Sequence, residues 1–393
     1  MREKLGVWPA LPIRMINTGF LSPFRAMDNI FAALEHNARL GYISLKDLPS
    51  SILERLVAAM QKPFPELRHL ELWSYETVPV LPETFLGESA PRLRSCKVDN
   101  LPLPALRNLL LSARHLVDLE LTNIPHSGYI SPEAMVTCLA TVPSLESLGL
   151  RFLSPRSRPD SISRRLASLA RTVLPALTSL SFEGVSEYFE DLISRTDAPL
   201  LDVIKIKFFN QLIFDVSELH QFISRTENLR ALDTAHVNFH NNSVFLKLSQ
   251  FDRTKFTLEI SCCKLDWQLS SLTQVCSSSR LLFAALEHLH IRDYQYQRLY
   301  WENELENTQW LELFHRFSAV ENLYLSKELA PRVAPALQEL AREGVITVLP
   351  ALRDLYLEGL RPWGPFQDAI GRFVAMRQLH GHPVSFRSRD GLW

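Results

Sequence analysis

One spacing governs this chain: an aliphatic residue, a second three positions later and a third two beyond that. It recurs at Leu40/Ile43/Leu45, Leu67/Leu70/Leu72, Leu93/Cys96/Val98, Leu116/Leu119/Leu121, Leu145/Leu148/Leu150, Leu177/Leu180/Phe182, Leu201/Ile204/Ile206, Leu286/Leu289/Ile291, Val320/Leu323/Leu325 and Leu352/Leu355/Leu357. Weaker copies lie around Leu229/Leu232 and Leu258/Ile260. Together they make about twelve copies with a mean period of about 28 residues. Two of them agree well beyond the shared spacing: TVLPALTSLSFEG at 172–184 returns as TVLPALRDLYLEG at 347–359, with nine of thirteen positions identical.

The spacing has a mechanical cause. Residues two apart on an extended strand share a face, so the last two apolar positions of each copy point one way and their neighbours the other. A single strand of this kind cannot hide its apolar side. Stacked copies can, if they form a parallel sheet whose inner face is sealed by the returning segments. The expected fold is therefore α/β: a leucine-rich-repeat solenoid, a horseshoe with a parallel β-sheet on its concave face and helices on its convex face. Periods that vary between about 23 and 34 residues imply irregular rungs.

The returning segments carry helix signals. SSILERLVAAMQ places Ser51 three residues before Glu54, a capping-box spacing, and SPEAMVTCLATV offers Ser131 as N-cap with Pro132 at the first helical position. SEYFEDLISRT and VSELHQFISRT have apolar residues at helical spacing. Strand exits are marked by a polar or Gly residue followed by an aliphatic one, as at Asp47-Leu48-Pro49, Asn100-Leu101-Pro102, Asn123-Ile124-Pro125, Gly184-Val185 and Gly359-Leu360. This divides the chain into an N-terminal capping segment (1–26), an irregular repeat body (27–378) and a C-terminal tail or cap (379–393) where the periodicity is lost. Residues 151–171, with SPRSRPDSISRR inside, are expected to be an exposed loop leading into a helix.

Forty-two basic and forty-three acidic residues leave a formal charge of −1, which provides no electrostatic footprint for nucleic acid or an anionic membrane. The five cysteines, Cys96, Cys138, Cys262, Cys263 and Cys276, have no C-x-x-C spacing, so neither a disulfide framework nor a zinc module is expected. No apolar run approaches a membrane span, and a cytoplasmic or nuclear location is expected. Phosphate-binding, nucleophile-elbow and zinc-protease motifs do not occur. The His288/His290 and His380/His382 pairs lack a Cys or carboxylate at ligand spacing, and Asp118 and Glu120 share one strand face without a sign of a pocket. Neither cofactor nor metal is expected, and the chain is not read as an enzyme.

What the pattern does offer is a row of side chains on the face opposite the repeat leucines. The expected binding residues there are Tyr42, His69, Glu71, Trp73, Lys97, Asp118, Glu120, Arg151, Lys205, Lys207, His288, His290, Arg292, Tyr324 and Tyr356. Aromatic and Arg anchors among polar residues suit a protein ligand. Twelve strands at about 4.8 Å would make a face on the order of 50 Å long, too long for a metabolite.

Several stretches resemble the F-box and leucine-rich-repeat proteins that are expanded in mushroom-forming fungi. They are REKLGVWPALPI (2–13), FLGESAPRLRS (85–95), LLLSARHLVDLELTNIPHSGYISPEAMVTCL (109–139), LDWQLSSLTQVCSSS (265–279) and ENTQWLELFHRFSAVENLYLSKELAPRVAPALQEL (306–340). The resemblance implies a substrate-binding arm of a cullin-type ubiquitin ligase: an F-box of about 45 residues docks on a Skp adaptor while the repeats select the substrate. In that family the F-box precedes the REKLGVWPALP-like segment, and this sequence begins at that segment. DLPSSILERLV (47–57) echoes an F-box opening but runs directly into FPELRHLELW, so it is expected to be a repeat helix. A free-standing repeat scaffold or sensor, without a ubiquitin link, is the alternative.

Overall fold

The computed structural model describes residues 11–17, 23–46, 49–74, 81–102, 106–155, 171–214, 216–251, 253–278, 283, 285–294, 307–342, 348–358 and 366–389. Residues 1–10 of the capping segment, the Asp47-Leu48 and Gly359-Leu360 exits, and 156–170 of the anticipated loop lie outside them. Contacts group the chain into two units, Met1–Leu201 and Asp202–Trp393.

In the first unit β1 (Ile13–Asn17), β2 (Leu40–Leu45), β3 (His69–Trp73), β4 (Ser95–Asp99), β5 (Asp118–Ile124), β6 (Ser147–Phe152) and β8 (Ser179–Gly184) pair in that order, every neighbour parallel. The register superimposes the repeat. Ile43, Leu70, Cys96, Leu119, Leu148 and Leu180 are consecutive partners, as are Leu45, Leu72, Val98, Leu121, Leu150 and Phe182. All are buried, so two continuous apolar rows line the inner face of the sheet. Each rung is also tied to the one before it through the backbone: the amides of Arg94, Val117, Glu146 and Thr178 donate to the carbonyls of Arg68, Arg94, Val117 and Glu146 at 2.8–2.9 Å.

Returning helices cover that inner face: α1 (Pro23–Leu34), α2 (Ser50–Ala59), α3 (Leu106–Ser112), α4 (Pro132–Leu139) and α5 (Ser186–Ser194), with α3, α4 and α5 packed side by side. Ser131 accepts from the Ala134 amide at 3.2 Å and Pro132 opens α4, as its sequence predicts. The capping box at Ser51 does not form. Helix α2 begins at Ser50, two residues before the start a Ser51 cap implies, with Pro49 at the N-cap and no side chain capping it. The segment nevertheless is a helix between two repeat strands, the place expected for SSILERLV. A short parallel pair, β7 (Thr172–Val173) with β9 (Thr196–Asp197), lies on the return side.

Asn100 and Asn123 leave their strands at φ of 56° and 49°, in the left-handed region that asparagine tolerates better than most residues. The Asn123 amide donates to the Asp99 carboxylate at 3.1 Å, and that of Asn100 to the Ser74 carbonyl at 3.1 Å, so the side chains fix the exits they make sterically accessible.

The second unit follows the same plan with one interruption. Strands β10 (Val203–Phe208), β14 (His288–Asp293), β15 (Asn322–Ser326) and β16 (Asp354–Glu358) are repeat strands, β17 (Ser385–Arg389) adds a strand from the tail, and β14 through β17 pair in parallel. Between β10 and β14 the chain makes β11 (Thr234–His240), β12 (Ser243–Gln250) and β13 (Arg253–Ser261), an antiparallel meander inserted in reverse: β13 pairs with β10 and β11 with β14. The two weak repeat copies are therefore real strands, but not successive rungs. Leu258 and Ile260 are buried on β13, Leu232 is buried just ahead of β11, and an additional strand with buried Val244, Leu246 and Leu248 separates them. Helices α6 (Ser217–Arg225), α7 (Leu265–Ser278), α8 (Asn307–Phe314), α9 (Ala330–Arg342) and α10 (Phe366–Leu379) supply the return side, and α7, α8, α9 and α10 pack in sequence. Each unit is thus a leucine-rich-repeat α/β solenoid body, its strands stacked parallel apart from β12.

From the first shared leucine to the shared glutamate, the two copies of the long phrase occupy equivalent places, a turn followed by a repeat strand. Leu174, Leu177, Leu180 and Phe182 are buried in the first unit, and Leu349, Leu352, Leu355 and Leu357 in the second. Among the described residues no helix is long and apolar enough to cross a membrane.

Candidate functional site

The face of each sheet opposite the helices carries the polar residues of the repeat, and strand register assembles them into rows. In the first unit Arg14, Tyr42, His69, Ser95, Asp118, Ser147 and Ser179 are consecutive partners. Beside them run Ser44, Glu71, Lys97, Glu120, Gly149 and Ser181. Tyr42 stacks on His69 with ring centroids 4.3 Å apart, and the Arg14 guanidinium lies 4.5 Å from the centre of the Tyr42 ring.

Charge pairing dominates the rest of this face. Lys97 stands between the two carboxylates of β5, 3.3 Å from Asp118 and 3.1 Å from Glu120, while Arg151 approaches Glu120 from the other side at 3.6 Å. Burial opposes the Lys97 charge, but the Glu120 hydrogen bond and the Asp118 and Glu120 charges outweigh it and raise its pKa. Asp118 and Glu120 are therefore engaged in holding cations, not poised as an acid/base pair. Glu71 receives Lys46 at 2.8 Å and the Ser44 hydroxyl at 2.7 Å. Burial works against its ionisation, yet these partners hold its pKa below the usual value. His69 is depressed by burial against the pull of Glu71, which favours the neutral ring that stacks on Tyr42. Gly149 leaves room for this traffic, because a Cβ there would lie 3.3 Å from the Glu120 side chain. Trp73 neighbours Asp99 one step farther along the strands, and Asp99 accepts from Thr122 and Asn123.

In the second unit one row crosses all eight described strands: Lys205, Thr257, Lys247, His236, His290, Tyr324, Tyr356 and Arg387. Four of its rings form a ladder. His236 stacks on His290 at 4.4 Å, His290 on Tyr324 at 4.0 Å and Tyr324 on Tyr356 at 4.4 Å, with interplanar angles of 23°, 0° and 8°. Arg387 covers the last ring at 5.8 Å and pairs with Asp354 at 3.3 Å. In the adjoining row Arg292 reaches over β15 to form a two-point bridge with Glu358, at 2.7 and 3.2 Å. Lys207 approaches Glu259 at 3.9 Å. His288 lies one row off the ladder, level with Thr234 and Asn322.

The fifteen sequence-derived residues are divided between the faces of the two units. Tyr42 through Arg151 share the first unit's face, and Lys205 through Tyr356 share the second's. Arg14, His236, Lys247 and Arg387 belong to these rows but escaped the repeat spacing, since their strands do not carry it. A period-2 alternation was present in β11 and β12 and was short or weak in β1 and β17.

On the return side of the second unit a cavity of about 450 Å³ is lined by Phe214, Ser270, Thr273, Gln274, Ser277, Ser278, Glu312 and Arg316. Its hydroxyls do structural duty: Thr273 and Ser277 donate to the Leu269 and Thr273 carbonyls at 2.8 and 2.6 Å. The Gln274 amide accepts from the Phe214 backbone at 3.1 Å. Cys96, Cys138, Cys262 and Cys276 are buried free thiols, and burial pushes Cys96 up to about 12. Among the described residues no group of three His, Cys, Asp or Glu side chains is placed to hold a metal ion.

No family model and no curated protein matches the chain. Among solved structures it is similar to the leucine-rich-repeat-containing protein LegL7 from Legionella pneumophila, at 13% identity over 87% of this chain and 99% of that one, with a TM-score of 0.33. The repeat is evident in the strand register of the chain itself.

Proposed function

We propose that the chain is a non-enzymatic protein-recognition module that uses the uncovered sheet faces of its two units. The observation that carries this reading is the division of labour along every strand. The apolar partner is buried under the helices, while its neighbour joins an ordered row of aromatic and charged groups that, among the described residues, no element of its own unit covers. Rigid rows of Tyr, His, Trp and Arg on a scaffold lose little side-chain entropy on binding, which suits them as anchors for a macromolecular surface.

The finer reading follows the family resemblance: the repeats would select a substrate for a cullin-type ubiquitin ligase, with a Skp-type adaptor bound through an F-box. Affinity capture from the source lysate, with mass spectrometry, tests the recognition reading. A protein retained by the native chain should be lost with Tyr324→Ala/Tyr356→Ala or with Trp73→Ala, while circular dichroism is unchanged. An identical set of captured proteins for all variants would end the proposal. Co-purification of the product of the whole gene with a Skp adaptor supports the ligase reading, and its absence favours the free-standing scaffold.

A further inference from the structure

The row that crosses the second unit differs from its neighbours in charge. It holds Lys205, Lys247 and Arg387 and no carboxylate. Two carboxylates of the flanking rows are engaged outside it, Glu358 by Arg292 and Glu259 by Lys207, while Asp354 pairs with the row's own Arg387, so the row's open cations are Lys205 and Lys247. Lys205 is exposed and, among the described residues, neither it nor Lys247 has an acidic partner. Lys247 instead lies 5.9 Å from the Phe245 ring. The two ammonium groups stand on strands separated only by β13, roughly 10 Å apart at the usual strand spacing. The ladder beyond them exposes ring edges, not ring faces, because each interior ring is covered on both sides by its neighbours. Ring edges carry the positive end of the aromatic quadrupole, and tyrosine adds a hydroxyl donor. Cations and positive edges on one line favour an anionic ligand.

We infer that this row is the docking track for an acidic, extended polypeptide segment that crosses the strands from Lys205 towards Arg387, its carboxylates set on Lys205, Lys247 and the ladder edge. Seven strand intervals make the track about 34 Å long, which about ten extended residues span. Single-stranded nucleic acid fits it poorly. Its bases need open aromatic faces on which to stack, and those of the ladder are occupied by one another. The inference rests on the recognition reading and specifies the unit, the row and the chemistry of the partner.

The test uses the full chain and fluorescein-labelled probes in anisotropy titrations at 50 mM salt: a twelve-residue peptide alternating Glu and Ala, its Gln/Ala and Lys/Ala counterparts, and a twelve-nucleotide oligo-dT. The Glu peptide should bind at least ten-fold tighter than the Gln peptide or the oligonucleotide, and weaken as salt rises. Lys205→Gln/Lys247→Gln should lose at least ten-fold of that affinity, and Lys205→Glu/Lys247→Glu should prefer the Lys peptide. Both positions are on the solvent side of their strands, and the charge-reversed gain of binding cannot arise from misfolding. Equal binding of Glu and Gln peptides, a preference for the oligonucleotide, or an unchanged affinity in the Gln variant would overturn the assignment. A protein captured through Tyr324 and Tyr356 yet indifferent to Lys205 and Lys247 would remove this inference and leave the recognition reading standing.

Discussion

The Arg292–Glu358 bridge offers a quantitative check on the packing of the second unit. It joins β14 to β16 over Ser326 of β15, so one ion pair holds three strands in register. The side chains are 21% and 18% exposed, between the surface and buried regimes. Exposed pairs contribute about 0.2–1 kcal/mol, whereas removing one partner of a fully buried pair costs about 3–5 kcal/mol. Glu358→Gln should then cost about 2 kcal/mol, mainly because a largely buried guanidinium loses its counter-charge. Burial opposes the Arg292 charge and in the native protein the Glu358 bond overcomes it. In the variant the guanidinium stays protonated because arginine is intrinsically far too basic to lose its proton in the working range. For a unit in the 150–250-residue range this corresponds to a fall in Tm of about 4–8 °C. Urea unfolding followed by far-UV circular dichroism and by tryptophan fluorescence, to which the fully buried Trp310 of this unit contributes, provides the assay. Combined with Arg292→Met and the double variant, it closes a cycle whose coupling should be about 1.5 kcal/mol. A coupling under about 0.3 kcal/mol would show that the strands are held without the bridge, and the reasoning would fail.

Other expectations follow from single environments. Leu119 is fully buried on β5, so Leu119→Ala should cost about 3 kcal/mol by denaturant titration, while Leu212→Ala, at a side chain 84% exposed, should stay within about 0.5 kcal/mol. Glu71 has a folded pKa below its ordinary 4.5, so its contribution is present above that value and disappears as pH falls through and below it. Glu71→Gln should therefore flatten the acid side of the stability–pH curve and leave the neutral-to-alkaline slope unchanged. Cys263 is exposed while the four other cysteines are buried, so a thiol reagent should titrate about one equivalent in the native protein and all five in urea.

The repeat strands were legible because burial on one face imposes a period of two, and the L-x-x-L-x-L spacing records it twice per rung. Where the chain departs from that spacing the sequence speaks less clearly. SVFLKLSQ alternates well enough to be a strand, but nothing local says that it runs antiparallel or that β13 rather than β11 lies beside β10. β17 has one buried neighbour strand and follows an irregular tail, so its alternation is short and weak. Register explains the mixed outcome for the site. Tyr324, Tyr356 and His290 could be read as belonging to one face, yet the ladder exists only because the meander brings His236 into line with them. Likewise the Ser51 capping box failed because Pro49, whose extended backbone suits the residue before a helix, set the start two residues earlier.

The reversed meander has a consequence for how the second unit is made. In a plain coil each new strand finds its neighbour already in place, and the sheet can lengthen from one end as the chain arrives. Here β11 emerges with no docked edge to join: β10 waits for β13, which comes two strands later. Zippering from the N-terminal side must pause until both hairpins have closed, so the three strands enter as a single cooperative block. A truncation inside 234–261 should therefore strand the half-made sheet on either side of it, where the loss of an ordinary rung would only shorten the stack.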